Sequence, residues 1–126
     1  MPRKTILVVD DAPENLDLLV GLLREQYRVQ AATNGDIALK IARSPNPPDL
    51  ILLDIVMPGK SGIEVCELLK NNEATAHIPI VFLSGKARDE DAERGMEAGG
   101  AAYLQKPVDA ESLFSLLGSL LAEQGT

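Results

Sequence analysis

Leu50-Ile51-Leu52-Leu53-Asp54-Ile55-Val56-Met57-Pro58-Gly59 is the stretch that decides the fold. Its first four residues are apolar without alternation, as in a strand buried on both faces. Such strands belong to parallel sheets covered by helices. Asp54 closes the run and a Pro-Gly turn follows. The same plan recurs along the chain. Ile6-Leu7-Val8-Val9 ends in Asp10 and Asp11, Ile80-Val81-Phe82-Leu83 ends in Ser84, and the short run Tyr103-Leu104 leads to Lys106-Pro107.

Working outward, strands at Thr5–Val9, Arg28–Ala32, Leu50–Leu53, Ile80–Leu83 and Ala101–Leu104 alternate with helices. Helix one starts near Pro13, a residue favoured in a first turn, and carries Leu16, Leu19, Val20 and Leu23 at helical spacing. Asn34-Gly35 could turn a hairpin, but Ile37, Ala38, Ile41 and Ala42 continue with helical period. Asn34 is therefore read as the cap of helix two. No helix crosses Ser44-Pro45-Asn46-Pro47-Pro48. Helix three, about Ile63–Lys70, gathers Val65, Cys66 and Leu69 on one face, and helix five, about Ala110–Ala122, has a wide leucine stripe with Phe114 and Leu121 at a margin. Helix four, about Arg88–Ala98, is the weakest. It offers only Ala87, Ala92 and Met96, and Gly95 costs it about 1 kcal/mol relative to alanine.

Five alternations predict an α/β fold, a five-stranded doubly wound parallel sheet with helices on both faces and right-handed crossovers. Order 2-1-3-4-5 sets strands one and three side by side, and such sheets bind ligands beyond their carboxyl ends where the order reverses. Asp10, Asp11, Asp54, Ser84 and Lys106 all fall at carboxyl ends.

Bulk properties narrow the choices. The 126 residues fit one domain spanning 1–126, with 45% hydrophobic and 25% charged residues as in ordinary soluble proteins. A net charge of −7 argues against nucleic acid as direct partner. The single cysteine, Cys66, excludes an internal disulfide and suits a reducing compartment. No apolar run approaches the ~20 residues of a membrane span, and Met1-Pro2-Arg3-Lys4-Thr5 does not open a signal peptide. The expected location is cytoplasmic.

Three carboxylates at one site repel; a pair about 4 Å apart costs roughly 4 kcal/mol at an effective dielectric near 20. A proton, a cation or a lysine must compensate. Oxygen-only donors suit Mg²⁺, which keeps several waters and could share its open positions with phosphate oxygens. Lys106 would neutralise the same phosphate, and the Ser84 hydroxyl would donate to it. Held ionised, Asp54 becomes a nucleophile toward phosphorus. A hydrolase with an aspartate nucleophile would carry a second acid two residues on, where this chain has Val56. A nucleotide-binding module would need a glycine-rich turn after strand one, and Asp10-Asp11-Ala12-Pro13 is none. His77, in a loop before Ile78-Pro79, is assigned no function, and Cys66 reads as a small buried apolar group.

The ordered set Val8-Val9-Asp10-Asp11, Leu53-Asp54 with Met57-Pro58-Gly59 and Ser61-Gly62, Leu83-Ser84-Gly85, and Ala98-Gly99 through Lys106-Pro107 resembles the receiver domains of bacterial two-component response regulators. It is similar in this to the stand-alone chemotaxis regulator. The resemblance covers essentially the whole chain and implies a flavodoxin-like fold. It implies that Asp54 is the phosphoacceptor, that Asp11, Asp54 and the backbone carbonyl of Val56 bind Mg²⁺ directly, and that Asp10 does so through water. Ser84 and Lys106 would contact the phosphoryl group, and Lys106-Pro107 would be a cis peptide. Ser84 and Tyr103 would form a switch that remodels the face of helix four, strand five and helix five. The donor would be a histidine kinase or a phosphotransfer protein. The chain would catalyse only its own phosphorylation and dephosphorylation, with no cofactor beyond Mg²⁺ and with an output partner that the residues do not name.

Three alternatives stay open: a relay or sink receiver excised from a larger regulator or hybrid kinase, a stand-alone regulator, and an unphosphorylated docking module. Two departures matter. Gly99-Gly100-Ala101-Ala102 replaces the commoner Gly-Ala-Asp/Glu pattern, so strand five is expected to start loosely. No Arg or Lys follows Lys106, which removes the salt bridges of the transcription-factor type of dimer, although the helix five stripe leaves room for a phosphorylation-dependent homodimer. Val56 and Lys86 flank the pocket, and an apolar Val56 cannot orient an attacking water, which favours a longer-lived phosphoryl state.

Overall fold

The structure, a computed structural model, describes residues 3–85 and 89–124. Its elements run β1 (Thr5–Val9), α1 (Pro13–Leu23), β2 (Arg28–Ala32), α2 (Gly35–Ala42), β3 (Leu50–Asp54), α3 (Gly62–Lys70), β4 (Ile80–Ser84), α4 (Asp89–Glu97), β5 (Ala102–Gln105) and α5 (Ala110–Gln124). All four strand pairings are parallel, in the order β2-β1-β3-β4-β5. The expected topology is the observed one.

The pleat sends alternate residues to opposite layers. Leu7, Val9, Ile51, Leu53, Ile80 and Phe82 pack with α2 and α3, whereas Ile6, Val8, Leu50, Leu52, Val81 and Leu83 pack with α1 and α5. β1, β3 and β4 are buried on both sides, which is why their sequences read as unbroken apolar runs. At roughly 25 cal/mol per Å² of apolar surface, each fully buried leucine or isoleucine contributes about 1.5–3 kcal/mol.

Local signals set the helix starts. Pro13 opens α1, whose cap position Ala12 makes no side-chain bond. Asn34 caps α2 as expected, its Oδ1 accepting from the Ile37 amide at 2.9 Å. Ser61 caps α3 through the Glu64 amide at 3.2 Å. Asp109 accepts from the amide and hydroxyl of Ser112 at 2.9 and 2.8 Å, which holds its carboxyl below its ordinary pKa. The α5 stripe faces inward. Leu113, Leu117 and Leu121 are buried while Phe114, Leu116 and Leu120 are half-buried against the core, so Leu121 is a core residue and not a marginal one.

Gly95 and Gly100 give α4 a close seat on the sheet. It rests on the ring of Phe82 through backbone. A Cβ built at Gly95 would lie 2.8 Å from two ring carbons, and one at Gly100 would lie 2.5 Å from Cε2. Phe82 is fully buried and cannot retreat. The second glycine of Gly99-Gly100 is thus demanded by a neighbour. β5 pairing starts at Ala102, one residue later than expected, after the Ala101 amide bonds the Ile80 carbonyl at 2.8 Å. Lys86, Ala87 and the Arg88 start assigned to helix four lie outside the described residues, as does the side chain of Ala92.

Alanine for glycine inside a helix ordinarily gains about 1 kcal/mol. At Gly95 overpacking against Phe82 costs roughly 1–3 kcal/mol and outweighs that gain. Gly95→Ala is therefore expected to lower the urea midpoint. A midpoint equal to or above the parent's contradicts the ring-on-backbone contact.

Candidate phosphoryl-acceptor site

Four strand ends converge where β1 and β3 lie side by side. Asp10, the residue after β1, is fully buried. Its amide donates to the Ala32 carbonyl at 3.1 Å and its Oδ1 accepts from the Ala12 amide at 2.9 Å. Asp54, the last residue of β3, is 5% exposed, and its Oδ1 lies 3.4 Å from the Val56 amide. The Ile55 amide bonds the Leu83 carbonyl at 3.0 Å, tying the chain just past Asp54 to β4. Ser84, the last residue of β4, is buried, and its carbonyl accepts from the Lys106 amide at 2.7 Å. The Lys106-Pro107 peptide is cis, as expected.

Lys106 reaches across from the end of β5. Its Nζ lies 2.6 Å from Asp10 Oδ2 and 3.3 Å from Asp54 Oδ2. Asp11 is exposed at the rim. One carboxylate oxygen from each of Asp10, Asp11 and Asp54 lies within 4.8 Å of the others. The structure thus brings together Asp10, Asp11, Asp54 and Lys106, with Ser84 held to the Lys106 backbone. Val56 stands beside them 73% exposed. Tyr103 is half-buried, packed on the α2–α3 layer next to Phe82 in β4. Lys86, the other pocket-flanking residue, lies outside the described residues.

Burial is the main force on Asp54 and pushes its carboxyl above the ordinary pKa; Lys106 opposes the rise and Asp10 adds to it. Burial also works against charge on Lys106. The hydrogen bond to Asp10 and the charges of Asp54 and Asp10 together outweigh it, and the ammonium is held more firmly than usual. One cation therefore spans two buried carboxylates, and Asp54 remains the less well compensated.

The donor set fits a hard divalent ion. Oxygens around octahedral Mg²⁺ lie roughly 3–4.2 Å apart, so carboxylates within 4.8 Å of one another suit it with one of them reached through water. The exposed Asp11 carboxylate leaves the outer side open to further ligands.

Residues 6–118 match the response regulator receiver domain family. The chain belongs to that family. Receiver domains are signalling modules that pair with histidine kinases and output domains, and they bind Mg²⁺ at an acidic pocket of the kind formed by Asp10, Asp11 and Asp54. The chain is 47% identical over 111 residues to a Vibrio cholerae protein named "Probable cyclic di-GMP phosphodiesterase", a match spanning 88% of this chain but 25% of that protein. It is 36% identical to PilH of Pseudomonas aeruginosa, over 93% of this chain and 97% of PilH. The chemotaxis protein CheY4 of Vibrio cholerae superposes with a TM-score of 0.87 at 26% identity, over 94% of this chain and 98% of that one. Among the described residues no helix is long and apolar enough to cross a membrane.

Sequence reasoning passed over Gly62 as more than a turn residue. Its amide donates to the Ile55 carbonyl at 2.8 Å, and a Cβ there would lie against the carbonyl oxygen of Asp54. Its place directly after the cap Ser61 was the available signal.

A carboxyl whose pKa folding raises binds its proton more tightly in the native state. Its contribution to stability then falls as pH climbs above the ordinary value of 3.8. Asp54→Asn removes that penalty and is expected to raise the thermal midpoint at pH 7 without metal. Added Mg²⁺ should narrow the gap by stabilising the parent more than the variant. A variant that melts below the parent at pH 7 without metal contradicts the charge balance.

Proposed function

We propose that the chain is a phosphorylation-activated switch in which Asp54 accepts a phosphoryl group from a histidine kinase or phosphotransfer protein. The single observation that carries this function is the Lys106 ammonium shared between Asp10 and Asp54 at the strand ends. Asp54 supplies the attacking oxygen. A P–O bond forms as the donor's P–N bond breaks, and the leaving nitrogen takes the electron pair and a proton from solvent. When bound, Mg²⁺ lowers the repulsion between carboxylates and phosphoryl oxygens. Asp11, Asp54 and the Val56 carbonyl would hold it directly, and Asp10 would do so through water. Lys106 would leave Asp10 for the incoming phosphoryl oxygens, and Ser84 would donate its hydroxyl to another. This depends on positioning and charge neutralisation, with little covalent work for other groups.

Ser84 and Tyr103 are the switch residues. Ser84 has the strand parity of Phe82, and Tyr103 sits beside Phe82, so both belong to the layer on which α4 rests. Movement at Ser84 can therefore reach α4 and β5, part of the α4–β5–α5 face where the output partner would bind. The chain acts only on its own phosphoryl group, as one domain over 1–126, in the cytoplasm. The chain matches nearly all of PilH and a quarter of the Vibrio cholerae phosphodiesterase, so relatives of this receiver occur both alone and within longer proteins. A homodimer through α5 has little apolar surface to use, because none of its residues is among the exposed large hydrophobics of the described chain.

Incubation with Mg²⁺ and acetyl phosphate, followed by intact mass measurement, should show one added phosphate. Asp54→Asn and metal chelation should each abolish it; addition that survives either overturns the assignment. Val56→Asn should shorten the lifetime of the phosphorylated form several-fold by giving the attacking water a hydrogen-bonding partner. Decay at the parent's rate, followed by mass after donor removal, sinks that role.

A further inference from the structure

We propose that Gly62 is a positioning residue for the phosphoacceptor, setting both Asp54 and the loop that carries Val56 by backbone contact that only a glycine allows. The inference rests on the function proposed above. A Cβ at Gly62 would stand 2.9 Å from the carbonyl carbon of Asp54 and 2.9 Å from Ile55 Cα, and closer still to the Asp54 carbonyl oxygen. All three neighbours are backbone atoms of a sheet-bonded segment. The Ile55 amide is fixed to the Leu83 carbonyl at 3.0 Å, so the strand end cannot drift outward to relieve the contact.

A second bond makes the contact directional. The Gly62 amide donates to the Ile55 carbonyl at 2.8 Å and closes residues 55–62 into a ring. Pro58 and Gly59 lie at its far side, with Gly59 at φ +77°. Ser61 starts α3 at the other anchor, its Oγ accepting from Glu64. The first turn of α3 is thereby pressed against the peptide planes on either side of Ile55, the first of which carries the Asp54 carbonyl. Val56, inside the ring, has its amide aimed at Asp54 Oδ1 and its carbonyl proposed as a metal donor. Gly62 needs no positive φ here; what it supplies is missing volume. A methyl at this place must push Asp54 and Val56 apart and spoil the oxygen spacing.

The test compares Gly62→Ala with Gly99→Ala. Gly99 is equally unforgiving, at φ +113° with the Lys70 stem 2.7 Å from its Cβ position, but it precedes β5 at the opposite end of the sheet. Both variants should lose stability. Only Gly62→Ala should weaken Mg²⁺ binding, measured calorimetrically on folded protein, by at least about tenfold, as expected when a group orienting metal ligands is disturbed. Its phosphorylation by acetyl phosphate should slow to match. Equal Mg²⁺ affinity in Gly62→Ala and parent overturns the proposal, as does an equal loss in Gly99→Ala. Where Gly62→Ala does not fold, amide exchange in the parent decides, because coupling is reciprocal. Saturating Mg²⁺ should slow exchange of the Gly62 amide along with that of Val56, and protection of Val56 alone refutes the positioning role. A parent that takes no phosphate defeats the function itself, an outcome separate from either result at Gly62.

Discussion

The ammonium of Lys106 at 2.6 Å from Asp10 and 3.3 Å from Asp54 is the contact on which the site depends. Two buried carboxylates on neighbouring strands would otherwise repel by several kcal/mol. The lysine makes the arrangement tolerable without making it comfortable. Asp10 takes the short bond, and Asp54 is left buried with its proton affinity raised. A group held in that condition gains from any added cation, and it is well placed to share an incoming phosphoryl group with that cation. Structure and chemistry meet in one unequal distribution of charge.

Unequal packing has a parallel role on the far side of β4. Most helices here lock onto the sheet with leucine, isoleucine or valine side chains. α4 instead lays its backbone on the Phe82 ring. At Gly95 and Gly100 that contact is made by ring against backbone, and any side chain there would have to displace the buried ring. The acceptor end is built the opposite way. At Gly62 backbone meets backbone, and Asp54 is pinned between the β4 ladder and the start of α3. Three glycines thus bring backbone into close contact, two against a ring and one against a strand end.

Much of this was legible in the residues. Apolar runs marked β1, β3 and β4 within one residue, because a parallel strand covered on both faces loses the polar alternation of a half-exposed one and the turn residues beside each run keep it strand-length. Asn34 was legible as a cap despite its hairpin-like neighbour, since helical periodicity continued past it. The cluster of Asp10, Asp11, Asp54 and Lys106 followed from carboxyl-end placement once the strand order was fixed. Contacts between residues distant in sequence were not legible. Nothing in Gly99-Gly100 announces that Phe82 fills the space, and Leu121 looked marginal because helix periodicity does not say how far a neighbouring sheet extends. Gly62 resembled an ordinary turn glycine, as close backbone approach leaves no mark on composition.

The central claim is that the Lys106–Asp10–Asp54 cluster exists to take a divalent ion and a phosphoryl group. A crystal structure grown with Mg²⁺ and beryllofluoride, a phosphoryl mimic, tests it most directly. The account predicts beryllium on an Asp54 carboxylate oxygen, Mg²⁺ bound by Asp11, Asp54 and the Val56 carbonyl, and Lys106 drawn from Asp10 to a fluoride. A mimic bound elsewhere, or Lys106 still on Asp10 beside an unmodified Asp54, would contradict it.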